Sequence, residues 1–180
     1  MRIFMTGFMT SGKSTIGPIV ANTLGMNFHD LDKVIVQREE MTIVEIFEKK
    51  GEDYFRKLER DTLEELCNSD NVIISLGGGT IVNPDNLQFI KKAGLIIYLQ
   101  VSPEILYKRL KNKIDRPLFR DLVLGENPET DFVERIREML DKRKEYYEKA
   151  DIVINTDFNP IGVTVDKIAA KITRIINEKN

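Results

Sequence analysis

Residues 7–14, Gly-Phe-Met-Thr-Ser-Gly-Lys-Ser, carry the spacing G-x-x-x-x-G-K-[ST] at every fixed position. Gly7 and Gly12 let the backbone turn its amides inward, and those amides, with the start of a following helix, form a nest for anions. Lys13 can then reach the β- and γ-phosphates of a nucleotide, and the Ser14 hydroxyl can ligate Mg²⁺. A strand-like run, Arg2–Thr6, precedes the loop, and a helical pattern from about Lys13 to Leu24 follows it. The loop points to a nucleotide and leaves open what is done with it, because switches, ATPases and kinases share it.

Three further sets of residues bear on that question. Asp30 and Asp32 flank Leu31 at the end of a short strand, Asn27–His29. Alternate residues at the carboxyl end of a strand can both face the ligand crevice. One carboxylate could then hold Mg²⁺ while the other orients or deprotonates an acceptor hydroxyl. Acidic residues at a helix start are also common N-caps, so the pair alone leaves both readings open. Gly77-Gly78-Gly79 follows the most apolar strand; three glycines cost entropy and supply no packing, which points to a ligand against bare backbone. The third set is two arginines. Arg56 lies three residues from Glu59, within pairing distance on a helix, and Arg143 shares a helical stripe with Val133, Ile136, Leu140 and Tyr147. An arginine on an inward stripe must be paired or bind an anion. Two of them suit an acidic acceptor, although Arg56 could be a structural pair and Arg143 could snorkel to solvent.

The elements that would position these residues alternate along the chain. Asn71–Leu76 and Leu95–Val101 read as buried strands and Asp151–Asn155 as a last one. Helices are expected from Asp30/Asp32 to about Glu40, after the Thr42/Glu45 capping box, over Glu52–Cys67, and from the Asn83-Pro84 N-cap to about Ala93. Further helices are expected after Ser102, over Thr130–Lys149 and over Val163–Asn177. Five strands alternating with helices predict a three-layer α/β fold around a parallel sheet. Lys111–Glu129, polar and containing Pro117, Gly125 and Pro128, is long for a connection and reads as a lid.

With 180 residues, 42% hydrophobic and 31% charged, the chain is sized for one soluble domain spanning 1–180. A net charge of −2 gives no general attraction to nucleic acid or to an anionic membrane. The single cysteine, Cys67, excludes an internal disulfide and a Cys-based zinc site. Neither a signal-peptide pattern nor a run of the ~20 apolar residues needed for a membrane span is found. The expected location is the cytoplasm, with no nucleic-acid or membrane partner, and the chain is expected to act as a monomer.

The loop, the D-x-D after the second strand, GEDYFRKLE at 51–59, GGG at 77–79 and Arg-Pro-Leu at 116–118 resemble the shikimate kinase family in order and spacing. LDKRKEYYEKAD at 140–151 is similar to that family's arginine-bearing helix before the last strand, and the likeness covers nearly the whole chain. The resemblance implies a P-loop kinase fold like that of nucleoside monophosphate kinases, with strand order 2-3-1-4-5. It also implies a shikimate-binding region at about 30–60, a mobile lid at about 111–129, and transfer of the γ-phosphate of MgATP to the 3-hydroxyl of shikimate in chorismate biosynthesis. Carried over by position, Asp32, Arg56, Gly77, Gly78, Gly79 and Arg143 hold shikimate, with Asp32 the candidate base. ATP falls to Gly7, Thr10, Ser11, Gly12, Lys13, Ser14 and Thr15, with Arg109 against the adenine opposite the loop from Asn155 to Pro160. Arg116 is the lid arginine over the phosphates, and Ser14 and Asp30 serve the metal.

Three positions depart from that pattern: Thr10 where a glycine is frequent, Pro18 where a basic residue is common, and Leu31 where a small polar residue is usual. A gluconate- or nucleoside-type kinase would need a different acceptor set. A nucleotide-dependent switch would order its lid with ATP alone. A nucleic-acid-associated ATPase is disfavoured by charge balance and the lack of a basic-aromatic patch.

Overall fold

A computed structural model describes residues 1–111 and 128–179. Five parallel strands, β1 (Arg2–Thr6), β2 (Asn27–Asp30), β3 (Val72–Ser75), β4 (Leu95–Gln100) and β5 (Ile152–Asn155), form one sheet in the order β2-β3-β1-β4-β5. β3 and β4 are buried apolar runs because both faces of the sheet are covered there, whereas the edge strand β2 is polar and partly exposed. Side chains alternate between two cores. Phe4, Ile74, Ile96 and Tyr98 enter one, and Ile3, Met5, Ile73, Ile97 and Leu99 enter the other.

Helices α1 (Lys13–Leu24) and α9 (Ile161–Lys179) cover the second face through Ile16, Val20, Val165, Ile168 and Ile172. The first face carries α2 (Leu31–Glu39), α3 (Ile43–Lys50), α4 (Glu52–Leu66) and α5 (Pro84–Ala93). A third, smaller core joins Phe8 of the phosphate loop to α6 (Pro103–Leu110) and α7 (Pro128–Asp141) through Leu106, Leu110, Phe132 and Ile136. No helix among the described residues is long and apolar enough to cross a membrane.

Local signals in the chain set most boundaries. Thr42 and Glu45 form the expected capping box, each side chain bonded to the other's backbone. Asn83 caps α5 by accepting from the amides of Asp85 and Asn86. Thr42→Ala is expected to lower unfolding free energy by about 1 kcal/mol in urea denaturation, with activity unchanged. Pro18 does not end α1; it lies on the exposed face, where the carbonyl it leaves unbonded can be hydrated. Burial pushes the Cys67 thiol up to about 11, so it stays protonated and inert.

One expectation requires correction. The continuous helix predicted over Thr130–Lys149 is broken: α7 ends at Asp141, and a single turn, α8 (Lys144–Tyr147), begins with Arg143 as its N-cap. The Arg143 amide turns to the Leu140 carbonyl at 3.0 Å, an i→i−3 bond that tightens the chain out of the α-helix. The inward stripe of α7 is also shifted, with Phe132 and Ile136 buried and Val133 only half-buried.

Candidate active site

The phosphate loop joins β1 to α1 and has the backbone its glycines require. Gly7 and Gly12 have φ of 152° and 109°, values that side chains rarely tolerate. A Cβ at Gly7 would stand 2.8 Å from the Leu99 carbonyl oxygen. Lys13 lies over the loop, its Nζ donating to the carbonyls of Gly7 at 2.7 Å and Phe8 at 3.2 Å. Thr10 has φ of 60°, a strained left-handed conformation for a β-branched residue that costs roughly 1–2 kcal/mol. Where glycine would fit freely, Thr10 is held by Arg109, whose guanidinium donates to the Thr10 carbonyl at 3.3 Å.

Arg109 also donates to the Thr156 carbonyl at 2.7 Å, and the Thr156 hydroxyl donates to the Ser11 carbonyl at 3.2 Å. The phosphate loop is thereby tied to the loop after β5. Between them lies a cavity of about 260 Å³ lined by Thr10, Ser11, Gly12, Thr15 and Arg109 from one side and Thr156, Asn159, Ile161 and Thr164 from the other. Asn155 does not line it. Its amide donates to Asp157, and it faces the cleft beside Tyr98 and Tyr147. Pro160 contributes its carbonyl as acceptor for the Thr164 hydroxyl at 3.2 Å. The loop from Asn155 to Pro160, expected opposite Arg109, supplies Thr156 and Asn159 to the cavity in place of its two end residues. Ile161 and Thr164 beyond it were not foreseen, although a position just past a strand's carboxyl end is where open α/β sheets put ligands.

Asp30 takes the N-cap role and also meets the Ser14 hydroxyl. Its Oδ1 accepts from the Lys33 amide as the N-cap of α2, and its Oδ2 accepts from the Ser14 hydroxyl at 2.9 Å. Leu31, fully buried in the core, pins the start of α2 between the two aspartates. That burial explains why an apolar residue occupies this position. Asp32 is half-buried, and its carboxyl is pushed up from 3.8 to about 6. Loss of solvation is the largest cause, followed by the charges of Asp30 and Glu59, with Lys13 and Arg56 opposing them.

The three glycines after β3 are not in the left-handed region; what they provide is room. A Cβ at Gly77 would stand 2.5 Å from Asp32 Oδ1, one at Gly78 3.3 Å from an Arg143 nitrogen, and one at Gly79 3.2 Å from an Arg56 nitrogen. Each glycine thus admits one polar side chain, and together they gather an acid and two guanidinium groups along one strip of backbone. Arg143 donates to the Gly78 carbonyl at 2.7 Å and stacks over Phe8 of the phosphate loop, 5.6 Å from the ring centroid. That contact brings the glycine strip against the phosphate loop.

Arg56 is held in place by two carboxylates. It donates to Glu52 at 3.1 and 3.2 Å and to Glu59 at 3.2 Å. Glu59 is 1% exposed and also accepts from the Thr80 hydroxyl at 2.7 Å. A buried carboxylate needs such partners, so the pairing expected from the i,i+3 spacing is present and anchored to the glycine turn through Thr80. Glu59→Gln keeps the shape and removes the charge. It is expected to raise the acceptor KM about tenfold with the KM for ATP unchanged in steady-state kinetics. Arg116, the expected lid arginine, lies outside the described residues, as does nearly all of the segment around it.

A G-x-x-x-x-G-K-[ST] loop on a parallel α/β sheet, with a carboxylate of raised pKa and two guanidinium groups gathered beside it, is the framework of a P-loop phosphotransferase. A family model for shikimate kinase matches residues 9–177. The shikimate kinase of Chloroherpeton thalassium is 46% identical over 178 residues, covering 97% of this chain and 93% of that protein. Among solved structures, the shikimate kinase of Bacteroides thetaiotaomicron superposes with a TM-score of 0.85 at 34% identity, covering 96% of this chain and 98% of that one. The Acinetobacter baumannii shikimate kinase in complex with shikimate gives 0.80 at 32% identity, covering 99% and 94%. The chain belongs to the shikimate kinase family.

Proposed function

We propose that this chain transfers the γ-phosphoryl group of MgATP to the 3-hydroxyl of shikimate through the residues gathered around the glycine turn. The observation that carries this reading is the convergence of Asp32, Arg56 and Arg143 on Gly77, Gly78 and Gly79, beside the phosphate loop. Arg56 and Arg143 hold the acceptor's carboxylate from two sides, a task suited to planar, permanently charged donors. That anchoring directs the ring hydroxyl toward Asp32 and the γ-phosphate.

Ser14 and Asp30 are hard oxygen donors already in contact at the helix start, and Mg²⁺ is usually held by one or two such groups together with substrate phosphates and water. The set fits, and among the described residues no cluster of three or more His, Cys, Asp or Glu offers an alternative. Bound there with the nucleotide, Mg²⁺ supplies charge neutralisation at the phosphates.

Phosphoryl transfer depends mainly on positioning and charge stabilisation. The acceptor oxygen bonds to the γ-phosphorus as the bond to the β–γ bridging oxygen breaks, and the hydroxyl proton passes to the Asp32 carboxylate. Lys13 leaves the carbonyls of Gly7 and Phe8 to meet the phosphates, joined by the loop amides and by Arg116 from the lid. The reading takes the chain to act as a cytoplasmic monomer. A coupled assay of ADP release with shikimate, quinate and gluconate tests the assignment. Turnover well above background hydrolysis is expected with shikimate, and its absence would refute the reading.

A further inference from the structure

Behind Arg143 lies a buried tyrosine pair to which the proposed chemistry assigns no role. Tyr147, 2% exposed, stacks on Tyr98 with ring centroids 4.5 Å apart and planes within 9° of parallel. It stands one helical turn beyond Arg143, its amide bonded to the Arg143 carbonyl at 3.1 Å, so the two side chains share a face. Among the described residues, the Tyr147 hydroxyl finds no partner at hydrogen-bond geometry. Burial pushes its pKa up, and the charge and hydrogen-bonding reach of the Arg143 guanidinium pull it down. The hydroxyl is therefore close to Arg143 without a hydrogen bond from it at good geometry, while one Arg143 nitrogen donates to the Gly78 carbonyl.

A buried hydroxyl without a partner costs stability, and phenylalanine would fill the same volume without that cost. The stack with Tyr98 needs only the ring. The oxygen calls for a different explanation, and its neighbour supplies one. A guanidinium has five N–H donors in a rigid fork. The one nitrogen that Arg143 gives to the Gly78 carbonyl does not fix the group, and a fixed acceptor behind it would limit where it can turn as it grips a carboxylate.

We propose that Tyr147 is a positioning residue for Arg143: its hydroxyl accepts a hydrogen bond from the guanidinium when Arg143 turns from the Gly78 carbonyl to the carboxylate of the acceptor. This rests on the reading that Arg143 holds that carboxylate. Tyr98, packed flat against the ring, keeps the hydroxyl in place, so the acceptor site is preorganised from behind as well as in front.

Tyr147→Phe tests the role, with steady-state kinetics and thermal melting on the full chain, alone and combined with Arg143→Ala. The expected result is a roughly tenfold rise in the KM for shikimate, with kcat and the KM for ATP unchanged and the melting temperature equal or higher. In the Arg143→Ala background, Tyr147→Phe should change the KM no further. An unchanged shikimate KM in Tyr147→Phe, while Arg143→Ala raises it, overturns the positioning role alone. A loss of kcat accompanied by a lower melting temperature also overturns it, by showing a purely structural tyrosine. If Arg143→Ala leaves the shikimate KM intact, the reading of Arg143 falls and the role of Tyr147 falls with it.

Discussion

Asp32→Asn will lower kcat by a factor of about 10²–10⁴, the usual contribution of a positioned general base, while ATP binding is retained. The amide preserves the size of the side chain and removes its ability to take a proton. The same substitution should stabilise the ligand-free, metal-free protein at neutral pH, and the sign follows from the raised pKa. Asp32 titrates near 6 in the folded chain against 3.8 for the ordinary group. Between those values the folded state binds more protons than the unfolded state, so stability falls as pH rises through that window. Below about pH 4 the carboxyl is neutral in both states and costs nothing; above about 6 the full cost is present. That cost is on the order of 3 kcal/mol, reduced by what solvent reaches the half-buried group. Melting curves at pH 4 and pH 7.5 check the claim, with Asp32→Asn expected to exceed the parent only at the higher pH. A gain at both would attribute the effect to packing. The charge that destabilises the ligand-free fold is the one the proposed reaction uses.

Arg143→Ala will raise the KM for shikimate by about two orders of magnitude, the scale for removing one partner of a hydrogen-bonded charge pair. The KM for ATP should change little, because among the described residues the contact of Arg143 with the phosphate loop is its stack on the face of Phe8. Isothermal titration with each ligand separately provides the check. Equal weakening of both would mean that the arginine braces the loop and does not bind the acceptor. Arg143→Lys should recover only part of the affinity, since an ammonium lacks the planar fork.

Much of the architecture could be read from the chain because its signals are local. The glycine loop, the capping box at Thr42, the Asn83-Pro84 start of α5 and the apolar runs of β3 and β4 each depend on neighbouring residues only. The i,i+3 pairing of Arg56 with Glu59 was accessible for the same reason. What could not be read depends on contacts between distant parts. Nothing in Leu140–Lys149 marks a helix end; the segment has neither glycine nor proline. The break at Arg143 comes with a hydrogen bond to a carbonyl 65 residues earlier and a stack on Phe8. The cavity beside the phosphate loop was half visible, because Thr156 and Asn159 carry no motif and meet that loop across the sheet.

The opposite fates of two glycine clusters locate the boundary. At Gly7 and Gly12 the requirement is a backbone angle, a property of the residue itself, and so the sequence alone determined the phosphate loop, the donor and the α/β framework. At Gly77, Gly78 and Gly79 the requirement is space for Asp32, Arg143 and Arg56, which arrive from three separate elements. Only the tertiary structure decided which side chain faces which glycine, because close approach is a relation between segments and local residue types do not encode it. The raised pKa of Asp32 has the same origin, since burial and the nearby charges exist only once α2, α4 and the phosphate loop are packed together.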